Sequence, residues 1–237
     1  MLGYLALETR RALRCRRYLL LAVALPAVLF LGYRLAVPFD GDAYLVPTLA
    51  ALGAYIAATL PTARIALERA GGWQRQLSLT PLTPGAYLTA KALTAVLVSA
   101  TPIAVVCLLA RFVDQVDLAA GAWTRIVAGI WLATLPFALL GLVLGQLVAA
   151  RDQPVVAGGA LTVGALLGGL LVPLALFPGW LVDVAKALPT YWLGEVARST
   201  VDQHTDARDA AMVLAAWTVE AAAVLAVHQW RTRRRRP

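Results

Sequence analysis

Charged side chains are scarce in this sequence. Asp, Glu, Lys and Arg make up 14% of its 237 residues, whereas hydrophobic residues make up 60%. An average soluble domain is about 25% charged and about 45–50% apolar. A mean hydropathy of +0.73 does not suit one water-soluble core, because a chain of this length must still cover a large surface with polar groups. The composition argues against a soluble enzyme and a disordered chain, and it predicts an integral membrane protein.

Cysteine and histidine are almost absent, with two residues of each. Cys15 and Cys107 lie in different segments, and His204 and His228 stand alone, so we expect neither a disulfide nor a metal site. The sequence contains no GxxxxGK[ST] motif, and it also lacks HExxH and GxSxG. We therefore expect a non-catalytic chain that binds no cofactor and has no P-loop of its own for ATP.

Long apolar runs dominate the rest of the sequence. About 20 helical residues cross about 30 Å of hydrocarbon, and six runs are long enough. Each should form a helix, because a lone span in lipid must satisfy its own backbone hydrogen bonds. Prolines inside the runs predict kinks and not breaks. The predicted fold is all-α, with one transmembrane domain over residues 1–237 and six spans at residues 18–37, 44–66, 87–110, 126–149, 155–177 and 210–230.

The basic residues lie at the ends of these runs, and their placement predicts an orientation. With the N-terminus inside, fifteen of the 21 basic residues fall on or near the inner side. The positive-inside rule then places both termini in the cytoplasm. The excess of Arg over Lys is typical of GC-rich bacterial genomes, so the expected location is a bacterial cytoplasmic membrane. No nucleic-acid partner is expected from the net charge of +8, because the arginines do not follow one polar stripe.

Two segments on the inner side have patterns of their own. Residues 1–17 carry apolar side chains at helical spacing with arginines around them, which predicts a basic amphipathic helix in the inner interface. Residues 67–86 are longer than a hairpin between spans requires. They predict a polar helix-like stretch that is stopped by Pro81 and Pro84.

The outer segment, residues 178–209, contains two short amphipathic patterns with Pro189 between them. Two short helices at the outer interface fit these patterns better than an irregular loop. Trp and Tyr side chains are enriched at the level of lipid headgroups. The residues suited to that level are Trp180, Tyr191 and Trp192.

Glu220 and four glycines stand out within the runs. Glu220 falls near the middle of the sixth run, where an ionisable group is a functional-site hypothesis by default. It could contact a cationic or hydroxylated substrate, or it could be a protonated packing residue. The fourth and fifth runs each hold a GxxxG pattern, which permits close helix packing within the chain or against a second subunit. These packing glycines are Gly141, Gly145, Gly164 and Gly168.

Three segments occur in an order that is typical of one family. They are RRALRCRRYLLLAVALPAVLF, then ERAGGWQRQLSLTPLTPGAYLTAK, then GGLLVPLALFPGWLVDVAKALPTYWLGE. The third matches a pattern of a Gly-rich span, a Pro-Gly-Trp turn and a Leu-Pro-Thr-Tyr segment, at Gly168, Gly169, Pro173, Pro178, Trp180, Leu188, Pro189, Thr190 and Tyr191. Nearly the whole chain therefore resembles the membrane permease subunits of ABC type-2 exporters, which export drugs, antibiotics and polysaccharides. A departure from the pattern is Gly71-Gly72-Trp73, where relatives often have one glycine.

The resemblance implies a permease subunit that forms the path for a hydrophobic or amphipathic substrate, such as a drug, an antibiotic, another natural product or a lipid. It implies a separate ABC ATPase in two copies, which would bind the ATP and Mg, and a second permease that is the same chain or a relative. Residues 1–17 would be an elbow helix, and residues 67–86 would hold the coupling helix that docks on the ATPase. The implied coupling residues are Glu68, Arg69, Trp73, Gln74, Arg75, Leu77 and Leu79.

Candidate residues for the path and for an outer gate are mainly aromatic. The path candidates are Tyr55, Trp131, Phe137 and Glu220. The gate candidates are Trp180, Pro189, Tyr191 and Trp192.

Two other functions stay open. A proton-coupled secondary transporter would use Glu220 as its proton site and would need no ATPase. A multi-span membrane enzyme would need several acids or histidines at one depth, whereas Glu220 is alone there, so the enzyme is the weaker alternative.

Overall fold

The structure of the protein is a computed structural model. It describes residues 2–36, 42–73, 76, 79–80, 82–113, 120–199 and 207–234. All the regular secondary structure within these ranges is helical, which confirms the all-α prediction.

The helices follow the apolar runs of the sequence. A π-helical segment, Leu20–Ala24, joins α2 to α3, and a short 3-10 helix, Leu174–Leu176, lies between α9 and α10. In chain order the α-helices are α1 (Leu2–Leu13), α2 (Arg16–Leu19), α3 (Leu25–Ala36), α4 (Asp42–Ala63), α5 (Ile65–Ala70), α6 (Pro84–Phe112), α7 (Ala120–Ala133), α8 (Leu135–Leu147), α9 (Gln153–Leu167), α10 (Gly179–Lys186), α11 (Pro189–Ser199) and α12 (Ala207–Arg234).

Each predicted span corresponds to helix, but the lengths differ. Within the described residues, four helical stretches are long and apolar enough to cross a membrane, namely Leu45–Ala70, Pro84–Phe112, Ala120–Leu147 and Arg208–Arg231. The first and fifth runs form the shorter apolar helices Leu20–Tyr33 and Gln153–Leu167. The chain is thus a membrane-type protein with several apolar helices, and the count of six spans stays a prediction.

Helix α4 lies at the centre of the molecule. In the most apolar part of Leu45–Ala70, 83% is buried by the rest of the protein. In the most apolar part of Arg208–Arg231, only 22% is buried. Helix α4 packs against α3, α6, α8 and α11, and its many alanines allow these neighbours to approach closely. At Gly53 a Cβ atom would lie 2.6 Å from Pro102 Cβ and 2.9 Å from the Ala22 carbonyl oxygen. The core therefore depends on small side chains along α4.

The fifth run departs from its prediction. A span to residue 177 was expected, but α9 ends at Leu167. The chain turns at Gly169, whose φ of +70° lies in the left-handed region that glycine adopts without strain. A Cβ atom at Gly168 would lie only 2.7 Å from Thr190 Cβ in α11. The prediction of one continuous span was wrong here. Gly168 and Gly169 end α9 and allow α11 to pack against the end of that helix.

Pro84 also has a different role from the predicted one. It was expected to stop a helix, but it lies in the first turn of α6. The missing N–H of proline costs nothing at that position, because the first turn has no intrahelical acceptors for its N–H groups. The Thr83 hydroxyl caps the same turn by accepting a hydrogen bond of 3.2 Å from the Ala86 N–H. Pro81 lies outside the described residues.

The short helices outside the runs occur where the sequence predicts them. Helix α1 covers most of residues 1–17, and α10 and α11 lie within residues 178–209. Helix α1 packs against α6, and α11 packs against α4, α7, α9 and α12. Their positions at the two membrane interfaces stay predictions.

Candidate functional site

Three segments that are distant in sequence meet at the start of α6. Lys91 lies in the second turn of this helix, and its side chain is only 3% exposed. Its ammonium group forms an ion pair of 2.6 Å with Glu68 of α5 and a second ion pair with Glu8 of α1. One lysine thus joins the N-terminal helix and the predicted coupling segment to a long apolar helix.

Tyr87 strengthens the same junction. It precedes Lys91 by one helical turn, so the two side chains lie on one face of α6. The Tyr87 hydroxyl donates a hydrogen bond of 2.5 Å to Oε2 of Glu68, while Lys91 contacts Oε1. The Lys91 ammonium lies 5.8 Å from the centroid of the Tyr87 ring. We call Glu8, Glu68, Tyr87 and Lys91 the Lys91 cluster.

Apolar and aromatic side chains surround the Lys91 cluster. The Tyr4 ring of α1 lies 6.0 Å from the Tyr87 ring, and Trp73 packs in the same apolar group. Burial raises the pKa of Tyr4, and the neighbouring carboxylate of Glu8 adds to this effect. The Tyr4 phenol is therefore neutral at physiological pH and serves as a packing group between α1 and α6.

Burial makes this cluster costly to break. A buried ion loses hydration energy worth several kcal/mol, which only close opposite charges and hydrogen bonds can offset. Lys91 and Glu8 are both buried. Removing Lys91 would leave the carboxylates of Glu8 and Glu68 without their cation, so this lysine holds α1, α5 and α6 together.

Arg69 connects α5 to a different helix. Its guanidinium donates hydrogen bonds to the carbonyl oxygens of Gly145, at 2.9 Å, and of Gln146. Both carbonyls belong to the last turn of α8, where backbone C=O groups lack intrahelical partners and attract cations. Because Glu68 and Arg69 are consecutive, α5 is fixed on one side to α6 and on the other to α8.

The glycines of α8 allow this close approach. A Cβ atom at Gly145 would lie 2.7 Å from the Thr62 carbonyl oxygen and 3.0 Å from Ile65 Cβ. A Cβ atom at Gly141 would lie 2.7 Å from the Thr59 carbonyl oxygen. The GxxxG pattern of the fourth run therefore packs against the junction of α4 and α5 within this chain.

The predicted coupling residues separate into two groups. Glu68 and Arg69 are directed toward other helices of the chain, and Trp73 is half-buried. Leu79 is 89% exposed. Gly72, with a φ of +73°, turns the backbone between these groups, so the departure from the family pattern supplies a residue that this turn requires. Three further predicted residues, Gln74, Arg75 and Leu77, lie outside the described residues.

The path candidates do not lie together as one set. Tyr55 and Phe137 are buried and pack edge to face, with 5.0 Å between their ring centroids. The Tyr55 hydroxyl donates a hydrogen bond of 2.9 Å to the Ala160 carbonyl. Trp131 is half-buried and donates to the Val96 carbonyl at 2.6 Å, whereas Glu220 is exposed on α12. In this structure, Tyr55 and Phe137 belong to the core of one chain, and their role in a path stays a prediction.

The gate candidates belong mostly to one contact between α10 and α11. The rings of Tyr191 and Trp192 pack edge to face at 5.3 Å, and the Trp192 indole donates to the Lys186 carbonyl at 2.8 Å. Pro189 is buried, whereas Trp180 is exposed. The contact holds the two short helices together, and their role as a gate stays a prediction.

The glycines of the fifth run pack against α4 and α11. A Cβ atom at Gly164 would lie 2.5 Å from the Tyr55 hydroxyl oxygen and 3.2 Å from Thr190 Cγ2. Together with the contact of Gly168 described above, this explains why α9 needs small residues on one face.

Sequence reasoning missed the centre of the Lys91 cluster. Lys91, Tyr87 and Glu8 were not among the predicted site residues, although Glu68 was. One signal in the sequence could have identified Lys91. It is one of two lysines and lies inside an apolar run, where an ionisable residue suggests a functional site. Its partner Glu8 precedes it by 83 residues, and no spacing rule connects positions so far apart.

Comparison with known proteins identifies the family of this chain. Residues 19–226 match the family model described as "ABC-2 family transporter protein". A protein of Bacillus subtilis (strain 168), "Putative transport permease YvfS", is 26% identical over 136 residues. That similarity covers 56% of this chain and 55% of the relative, so the chain matches about half of the relative's length. The family match confirms the resemblance seen in the sequence and extends over most of the chain, which belongs to the ABC-2 family of transporter proteins.

Proposed function

We propose that this chain is the permease subunit of an ATP-driven exporter and that residues 67–86 couple it to a separate ABC ATPase. Family membership and the missing P-loop motif support a permease that takes its energy from another protein. The observation that carries the proposal is the double attachment of α5, through Glu68 to α6 and through Arg69 to α8. A force applied to α5 reaches two long apolar helices directly.

The residues of the coupling segment have two different roles in this proposal. Glu68 and Arg69 act as positioning residues that fix the segment to the helices. Leu79 is the described residue best suited to touch the ATPase, because a large exposed side chain gains most from burial in a protein cleft. Gln74, Arg75 and Leu77 belong to the same proposed docking surface.

ATP binding and hydrolysis change the separation of the two ATPase subunits in this proposal. The docked segment follows that movement. Because the Lys91 cluster is buried and paired, it moves as one body with α1 and the start of α6. The motion is thereby converted into a change in the packing of the apolar helices.

The substrate in this proposal is a hydrophobic or amphipathic molecule that crosses a bacterial cytoplasmic membrane outward. Two ATPase copies carry the ATP and Mg, and two permeases, identical or related, enclose the path. Both termini lie in the cytoplasm. These features rest on the family and on the distribution of basic residues.

Co-purification with an ABC ATPase tests the docking surface. The chain is co-expressed with candidate ABC ATPases of its own genome, and the ATPase retained on the tagged permease is quantified. Leu79→Asp should remove most of the retained ATPase, because it places a charge in an apolar contact. The matched control is Leu176→Asp, which changes an exposed leucine near the predicted outer side and should retain the ATPase. Equal retention in both variants would refute the docking assignment.

A further inference from the structure

A groove lies along α1, between this helix and the middle of α6. Its volume is about 680 Å³. Two rows of residues from α1 and the turn that follows it form one wall, because positions four apart lie above one another on a helix. The first row is Leu5, Thr9 and Leu13, the second is Ala6, Arg10 and Arg14, and Leu97 of α6 completes the lining. The groove thus combines apolar side chains with two arginines.

The apolar part of the groove is placed where lipid can cover it. The Thr9 hydroxyl donates a hydrogen bond of 2.8 Å to the Leu5 carbonyl, so its polar hydrogen is already used within α1. Leu13 and Leu97 are both exposed. Leu97 lies near the middle of α6, which is long and apolar enough to cross a membrane. Exposed leucines beside such a helix suit an acyl chain as their neighbour.

The two arginines of the groove have no partner in the part of the chain that the structure describes. Both side chains are exposed, and neither guanidinium takes part in a hydrogen bond or an ion pair there. The Arg14 N–H donates to the Arg10 carbonyl at 3.1 Å, so the two lie one helical turn apart, and like charges at that spacing repel. Glu8, the acidic residue of α1, is buried and paired with Lys91. The arginines therefore lack a counter-ion within α1.

A phosphate group suits this pair of arginines. Guanidinium groups form paired, charge-assisted hydrogen bonds with phosphate oxygens. Residues one turn apart have Cβ atoms about 5–6 Å from each other, so both side chains can reach one phosphate. An arginine stem can lie along apolar surface while its guanidinium extends to the headgroup level. An anionic phospholipid supplies the phosphate and the acyl chain in one molecule.

We propose that this groove binds an anionic phospholipid, with its phosphate against Arg10 and Arg14 and one acyl chain along the leucines. The lipid comes from the leaflet that contains α1. It neutralises the two arginines and fills the space between α1 and α6, so it supports the packing of these helices on each other. This binding depends neither on an ATPase nor on the direction of transport.

A second copy of this chain and an acidic soluble protein are poorer occupants of the groove. Two-fold pairing would bring the same patch of both copies together, and their arginines would repel each other. A soluble protein could reach the arginines, but Leu97 lies in the middle of a helix suited to cross a membrane. Charge and apolar lining together favour a lipid.

Native mass spectrometry measures the proposed binding. The full chain is purified in mixed micelles that contain equal amounts of phosphatidylglycerol and phosphatidylcholine, and the lipid retained on each chain is counted. Wild-type protein should prefer phosphatidylglycerol by about fivefold for each arginine that contacts the phosphate. No preference between the two lipids would overturn the proposal.

Three arginines of the same segment test the position of the phosphate. Arg10→Gln and Arg14→Gln should each lower the preference for phosphatidylglycerol about fivefold. Arg11→Gln is the matched control, because Arg11 is also exposed on α1 but is not among the groove-lining residues. It should lower the preference by less than about twofold. Equal effects of the three variants would mean that α1 attracts anionic lipid without a defined site, and would overturn the assignment.

Matched leucines test the apolar part of the groove. Leu13→Asn should abolish most of the preferential retention, whereas Leu7→Asn changes an exposed leucine of α1 outside the groove and should preserve it. Leu97→Asn and Leu93→Asn give the same comparison on α6, where both leucines are exposed, if a change in α1 prevents recovery of folded protein. Equal behaviour within both pairs would overturn the assignment to the groove. A lipid-free dimer that Leu13→Asn dissociates and Leu7→Asn does not would overturn it in favour of a second copy.

Discussion

Glu68 and Lys91 form an ion pair of 2.6 Å between α5 and α6. The pair connects the segment that we assign to ATPase coupling with one of the long apolar helices. The lysine is 3% exposed and also contacts Glu8, so this is an interior contact and not a surface pair. A surface ion pair would transmit little force, whereas a buried pair that is costly to separate can act as a rigid joint.

Loss of the lysine should destabilise the protein strongly. Lys91→Met leaves Glu8 and Glu68 without their cation, and we expect a loss of about 3–5 kcal/mol in the free energy of unfolding. The measurement is unfolding in mild detergent. Lys186→Met is the control, because the Lys186–Asp183 pair is exposed and should contribute little. Equal losses in the two variants would show that the Lys91 cluster has no special role.

The Tyr87 hydroxyl should contribute more to the free energy of unfolding than a hydroxyl that donates to a neutral acceptor. Tyr87→Phe removes a hydrogen bond to a carboxylate, and such bonds contribute about 1.5–3 kcal/mol. Tyr33→Phe removes a hydrogen bond of 2.9 Å to the Leu171 carbonyl, and we expect about 0.5–1.5 kcal/mol there. Both values come from unfolding of the purified variants. A larger loss for Tyr33→Phe would contradict our account of the cluster.

Arg69 should affect coupling more than assembly. Arg69→Ala detaches α5 from the end of α8 but leaves Leu79 available to the ATPase. We expect the complex to form while the stimulation of ATP hydrolysis by the permease falls about tenfold or more, which corresponds to about 1.4 kcal/mol. Arg151→Ala is the control, because Arg151 is exposed. Unchanged stimulation in Arg69→Ala would disprove its positioning role.

Two glycines of α9 should respond differently to replacement by alanine. Gly164→Ala adds a methyl group that meets the Tyr55 hydroxyl and Thr190, and overpacking of this kind costs about 1–3 kcal/mol. Gly158 has nothing within 4 Å of an added Cβ, so Gly158→Ala should be neutral or stabilise the helix by about 0.5–1 kcal/mol. Thermal unfolding of both variants measures the difference. Destabilisation by Gly158→Ala alone would contradict the packing that we describe.

Glu220 separates our proposal from proton-coupled transport. It is exposed on α12 and is not part of the Lys91 cluster. Glu220→Gln should therefore leave ATP hydrolysis and its stimulation by the permease within about twofold of wild type, which corresponds to about 0.4 kcal/mol, because the substitution changes neither the Glu68 nor the Arg69 contact of α5. Transport that is lost in this variant and that proceeds without ATP would support the proton-coupled alternative instead.

The sequence predicted the helices well because lipid leaves the backbone few choices. A long apolar run must satisfy its own hydrogen bonds, so the positions of α4, α6 and α12 followed from hydropathy. The end of α9 did not, because Gly169 and Pro173 lie in a run that is apolar throughout. Only the three-dimensional packing of Gly168 on Thr190 reveals why the helix stops there.

The candidate site was predicted only in part. Glu68 and Arg69 were chosen through a family resemblance, which implies docking on the ATPase. Their contacts with Lys91 and with the carbonyl of Gly145 suggest that they hold the segment to the chain. Such contacts join residues that are 23 and 76 positions apart, and helical periodicity relates residues only within a few turns.

The rate of ATP hydrolysis in the reconstituted complex tests the central claim most directly. The co-purified ABC ATPase is assayed in proteoliposomes with the wild-type chain, with Arg69→Ala, with Arg151→Ala and without any permease. We predict faster hydrolysis with wild type and with Arg151→Ala than without permease, and loss of that increase with Arg69→Ala although the complex still forms. An ATPase that binds no permease, or that hydrolyses ATP equally fast in all four samples, would contradict the account.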